Sequence, residues 1–159
     1  MKQKNLAILM KVAIIMLGVV GLVCFGDIIP IFGKDLADKY PEFSYCFWPW
    51  CIFLELLIIP YYLVLVMGWI VSGNIAKDKS FSYVNANKIK SASIICLTAT
   101  IYFFVGNVLL ALLSMSHPGI LLLSFICDFV GIALSVGFGL LSHLIYNAAK
   151  LQEQNDLTI

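Results

Sequence analysis

A chain of 159 residues that is 62% hydrophobic, with a mean hydropathy of +0.99, is too apolar for a water-soluble domain, which would be about 45–50% apolar. Its net charge of +1 argues against a general nucleic-acid binder, and direct nucleic-acid contact is not expected. All ten basic residues are lysine, so no bidentate guanidinium fork is on offer for phosphate or carboxylate. A membrane span takes about 20 apolar residues, so four spans and their connections use up the chain. The expected fold is all-α, a single integral-membrane four-helix bundle.

Span one is expected at residues 6–25. Lys2 and Lys4 precede it as in a signal peptide, and Cys24 suggests a lipoprotein site. The residues before Cys24 lack the small side chain such a site needs, and no Ala-x-Ala-like site follows, so an uncleaved span is the reading adopted. A loop over 26–45 holds Pro30, Gly33 and Pro41. Span two covers 46–71 and should kink at Pro60. A polar connection, 72–91, carries Ser82 and Asn85 as candidate helix caps for span three, 92–115. Residues Ser116 to Gly119 read as a tight turn before span four, 120–146. The tail, 147–159, should prolong that helix and then fray.

Lysine counts predict orientation. The N-terminus, the 72–91 segment and the tail hold Lys2, Lys4, Lys11, Lys77, Lys79, Lys88, Lys90 and Lys150, whereas the other two connections hold Lys34 and Lys39. The positive-inside rule then puts both termini and 72–91 in the cytoplasm, with the chain a multi-pass membrane protein. Tyr45, Phe47, Trp48 and Trp50 suit an outer aromatic belt, Trp69 and Tyr146 an inner one.

Polar residues recur in the spans at steps of seven, which keeps them near one helix face. Span two has Trp48, Glu55, Tyr62 and Trp69; span three has Ser93, Thr100, Asn107 and Ser114; span four has Asp128, Ser135 and Ser142. Gly131, Ser135, Gly139 and His143 follow at four-residue steps, a pattern that lets helix backbones approach. Because lipid offers polar groups no partner, the stripes are expected to turn inward and bring Glu55, Asn107 and Asp128 to one level, with Tyr62 and Ser135 beside them. An intramembrane carboxylate costs about 2.5–3.5 kcal/mol on insertion scales. Two together would share a proton, as in a ligand, cation or proton site. The alternative, that these groups are interhelical glue, stays open.

No metal or cofactor is expected. His117 and His143 fall at opposite ends of span four, and no His-Glu-x-x-His, Cys-x-x-Cys or nucleophile-elbow motif occurs. Catalysis is not expected either. A membrane thiol redox enzyme is weighed because of five cysteines, but Cys46 and Cys51 would lie about 140° apart around a helix.

Two stretches carry a resemblance. Phe81 followed by Asn85-Ala86-Asn87-Lys88-Ile89-Lys90, and the ending Leu151-Gln152 with Asn155-Asp156-Leu157-Thr158-Ile159, resemble the bacterial membrane family called domain of unknown function 2975. Gln154 departs from the acid usual there. The resemblance covers essentially the whole chain. It implies the four-span fold and membrane location more than an activity, and it implies a cytosolic helix-turn-helix regulator as a partner. The expected function is regulatory or sensory, with an outer or intramembrane ligand coupled to a cytosolic partner. Phe81, Asn85, Lys88, Lys90, Asp156, Leu157, Thr158 and Ile159 are the candidate contacts. Proton-coupled transport, or immunity to a membrane-active peptide, is the alternative. The bilayer is the constant partner, and a homodimer is a candidate assembly.

Overall fold

A computed structural model of the protein describes residues 3–156, with side chains through Asn155. Its helices are α1 (Gln3–Val23), α2 (Ile29–Lys39), α3 (Phe47–Glu55), α4 (Ile58–Ile75), α5 (Tyr83–Leu112) and α6 (Pro118–Asp156). A π-helical turn, Cys24–Ile28, fuses α1 to α2, and a 3₁₀ segment, Pro41–Cys46, leads into α3. The resulting four helical rods are each long and apolar enough to cross a membrane. This is the all-α four-helix membrane bundle that the composition implies. Main contacts run in chain order, α1 on α4, α4 on α5 and α5 on α6.

The expected loop over 26–45 is mostly helical. Pro30 has no N–H, and its ring would press on the carbonyl four residues back in a regular helix. The π turn immediately before it, closed by Ile29 N–H donating to Cys24 O, widens the helix there and lets it continue to Lys39. The rod from Gln3 to Lys39 has 37 residues. At 1.5 Å per residue it runs about 55 Å, well beyond a hydrocarbon core of about 30 Å.

Span two breaks where Pro60 requires. Leu56 and Leu57 form a turn between α3 and α4, with Leu57 N–H donating to Leu54 O. That shift frees the Phe53 carbonyl, which accepts the Tyr102 hydroxyl at 3.1 Å. The 72–91 connection contracts to a short turn, because α4 continues to Ile75 and α5 begins at Tyr83. Ser82 caps α5, its Oγ accepting from Asn85 N–H at 3.3 Å. Two rods end in the same way, with a non-glycine residue in the left-handed region. At Asp78 (φ 57°), Lys79 N–H reaches Asn74 O and Asp78 N–H reaches Ile75 O; at Ser114 (φ 57°), Met115 N–H reaches Leu110 O and Ser114 N–H reaches Ala111 O. Both are Schellman caps, which satisfy carbonyls a helix end would otherwise leave unpaired.

α6 turns small residues inward and large ones outward. Ser124, Asp128, Ser135, Ser142 and Ala149 are buried, whereas Leu122, Ile126, Phe129, Val136 and Leu140 are exposed. Lipid tails are as apolar as leucine, so burying large side chains between helices gains little, while small ones allow close backbone approach. Ser93 Oγ donates to Ser135 O at 2.8 Å and Ser135 Oγ to Ser93 O at 2.9 Å. Ser142 Oγ donates to Ala86 O at 2.7 Å. A side chain at Gly131 would collide with Thr100, and one at Gly106 with the Phe53 ring. On the other flank, the hydroxyls of Tyr61, Tyr62 and Ser72 donate to the carbonyls of Leu17, Gly18 and Ala7. Lys11 Nζ lies 5.1 Å above the Trp69 ring.

Gly131→Leu should force α5 and α6 apart, at an overpacking cost of about 1–3 kcal/mol. Ser135→Ala should lose only about 0.6 kcal/mol, the average for an interhelical hydrogen bond. Unfolding in mixed micelles with rising dodecyl sulfate checks the order of the two.

Candidate functional site

The polar residues singled out by spacing divide between two interfaces. Tyr62 faces α1, through its bond to Gly18 O at 2.7 Å. Ser135 faces α5. Asn107 and Asp128 both lie in the α5/α6 interface and are 1% and 7% exposed. Ser93 lies opposite Ser135 and Phe104 opposite Phe125, so the two helices are antiparallel. Continuing that register puts Asn107 level with residue 122 or so, about 9 Å along the axis from Asp128. Asn107 Nδ2 donates to Phe103 O at 2.8 Å, but its Oδ1 and both Asp128 carboxyl oxygens are buried without a hydrogen-bond partner.

Glu55 does not join them. It is exposed and lines a recess with Leu22, Phe25, Gly26, Ile52, Leu56, Ile58 and Ile59. By register with Tyr102 it lies at about the depth of Asp128, but toward the α1 side of the row. The reason is geometric. A seven-residue step says which residues share a helix face, and the α4 part of the span-two stripe is used on α1, where Tyr62 and Trp69 find their partners.

A large apolar cavity was not among the sequence expectations. A cavity of about 940 Å³ lies between α2, the 3₁₀ segment, α3, the turn after α5 and the start of α6. Its walls are apolar, and Tyr40, Cys46, Cys51, Ser116 and His117 supply the few polar atoms. Ser116 Oγ is buried there without a partner, whereas His117 Nδ1 accepts from Gly119 N–H at 3.1 Å. Trp50 Nε1 donates to Met115 O at 2.7 Å and ties α3 to the turn. Ile29, Phe32, Gly33, Leu36, Ala37 and Tyr40 all line this space from α2 and its end. Their spacing is that of an amphipathic helix, a signal present in the sequence but hidden by reading Pro30, Gly33 and Pro41 as loop punctuation.

At the lysine-rich end, Asn85 is removed from the set of partner contacts. It is 0% exposed, donates to Lys79 O and Ser80 O at 2.9 and 3.0 Å, and accepts from Asn74 Nδ2 at 2.7 Å. It builds the turn from inside. Phe81 and Lys90 are exposed and Lys88 is half-buried. α6 reaches Asp156, while Leu157, Thr158 and Ile159 lie outside the described residues. The Tyr83 hydroxyl donates to Glu153 Oε2 at 2.8 Å, and this bond raises the phenol's pKa above its usual value.

Two outcomes are expected from these placements. Asn85→Ala should cost about 1–3 kcal/mol by stranding the turn carbonyls, and should speed tryptic cleavage after Lys77 and Lys79. Asp128→Leu should leave micelle stability unchanged or raise it, because replacing an unpaired buried polar group by an apolar one of similar shape is neutral or favourable. A marked loss of stability would instead make Asp128 a structural bond. Comparison with known proteins gives a relative and a family. The uncharacterized membrane protein YoaS of Bacillus subtilis (strain 168) is 24% identical over 154 residues, spanning 96% of each chain. No solved structure matches. A family model described as "Protein of unknown function (DUF2975)" matches residues 31–159, so this chain, a membrane protein of four apolar helical rods, belongs to that family.

Proposed function

We propose that the protein is a sensory or regulatory component of the bacterial cytoplasmic membrane and has no catalytic role. In this reading it lies with its lysine-rich end in the cytosol, as the positive-inside rule requires. The observation that carries the proposal is the cavity of about 940 Å³ at the opposite end. Its size is within the range for small-molecule sites, about 300–1,000 Å³, and it pairs apolar walls with a few converging polar atoms. A small apolar or amphipathic ligand is the fitting occupant, with its polar group near Ser116 and His117.

α6 supplies the connection. Ile120 and Leu123 at its start line the cavity, and the same helix continues for 39 residues to Asp156. That is about 58 Å of uninterrupted helix. A shift imposed at the cavity wall would therefore reach the lysine-rich end without an intervening loop. There Phe81, Lys88, Lys90 and the residues from Asp156 onward are the surfaces for a cytosolic partner. A helix-turn-helix regulator remains the candidate for that partner. Proton-coupled transport is the second reading, favoured by two carboxylates, Glu55 and Asp128, at similar depth.

Ala37 lines the cavity from α2, and Ala37→Trp should fill much of it without touching the lysine-rich end. Native mass spectrometry of protein released from lipid nanodiscs should show a small molecule on the unaltered chain and none on the variant. Pull-downs from membranes should then recover different amounts of the cytosolic partner with the two proteins. Equal small-molecule content and equal partner recovery would sink the sensory reading, and proton-driven solute flux in liposomes would establish the transport reading.

A further inference from the structure

We propose that the recess around Glu55 is a separate binding site for a lipophilic cation, an ammonium or phosphonium centre carried on apolar substituents, entering from the lipid phase. The recess shares no lining residue with the large cavity, so the inference does not rest on that reading. Its volume is about 490 Å³, and every lining residue except Glu55 is apolar or glycine.

The depth of the carboxylate makes the case. Tyr102, whose hydroxyl meets Phe53 O, is ten residues from Leu112 at the end of α5. That is about 15 Å of helix, half the thickness of a hydrocarbon core of about 30 Å. Glu55, two residues beyond Phe53, therefore lies near the middle of the bilayer. A carboxylate at that depth needs a partner. Among the described residues the one ion pair is Lys39 with Asp35, and Glu55 makes neither an ion pair nor a hydrogen bond. Lys11 is held over Trp69. No described residue supplies its counter-charge, and an external cation would.

The walls also fit a ligand. The π turn Cys24–Ile28 forms one side, through Phe25 and Gly26, and the break at Leu56–Leu57 forms the other. Two backbone irregularities thus flank the carboxylate. Turns of the π type are over-represented at functional sites. Charge complementarity selects the occupant. A second copy would present its own Glu55, a like charge, and the cationic headgroups of ordinary lipids remain at the interface. A cation with apolar substituents can reach mid-bilayer and also fill the apolar walls.

The test uses the full-length chain in phosphatidylcholine nanodiscs, with labelled tetraphenylphosphonium as the probe and equilibrium dialysis as the readout. Saturable binding is expected. Glu55→Gln should weaken it by at least about tenfold, since a desolvated charge pair is lost. Asp128→Asn should bind like the unaltered protein. Ile59→Trp should also lose binding, by filling the recess while leaving the carboxylate in place, which guards against misfolding of the Glu55 variant. Undiminished binding by Glu55→Gln, absence of saturable binding by the unaltered protein, or loss in Asp128→Asn alone would overturn the proposal. So would efficient disulfide crosslinking between two copies of an Ile59→Cys variant before the probe is added, because another chain would then cover the recess.

Discussion

Hydrocarbon offers no hydrogen bonds, and most of this structure follows from that. Backbone groups must be satisfied within the chain, which imposes helices. Side-chain hydroxyls between the packed helices find carbonyls. Ser93, Ser135 and Ser142 bond across the α5/α6 interface, and Tyr61, Tyr62 and Ser72 bond across α4/α1. These contacts and the close approaches at Gly106 and Gly131 do the work that a hydrophobic core does in water.

The same constraint gives meaning to the groups that evade it. Asp128 and the Asn107 carbonyl oxygen are sealed between α5 and α6 without partners. Glu55 opens into an apolar recess. The broken span two and the π turn of span one lie beside Glu55, and the freed Phe53 carbonyl is retrieved by Tyr102. Toward the other edge of α3, the turn after α5 and the amphipathic α2 enclose the large cavity. Irregular backbone, unpaired polar atoms and empty volume thus concentrate in the half of the molecule away from the lysine-rich end. That end is tightly bonded around Asn85.

Much of the fold was legible because its causes are local. Pro60 announces the break, Ser82 its cap, and the small-residue steps of span four the face that meets α5. α2 was equally written in its spacing, but Pro30 reads as a helix terminator unless a π turn precedes it, and that turn depends on the conformation of the whole rod. Asn85 illustrates the opposite difficulty. A polar residue in a lysine-rich segment reads as solvent-facing, yet its amide can replace several backbone bonds at once and so becomes the buried centre of a turn.

By itself the sequence determined that the chain crosses a membrane as four apolar helical rods and which polar residues share a face on each rod, because both depend on composition and helical period alone. Only the tertiary structure decided where each face points. Packing in chain order gave the α4 part of the span-two stripe to α1 and joined the stripes of spans three and four. Glu55 was thereby separated from Asp128 although both lie at similar depth. Periodicity is a property of one helix, whereas a site is a property of several, and their rotation about one another is set by which small residues allow the closest approach.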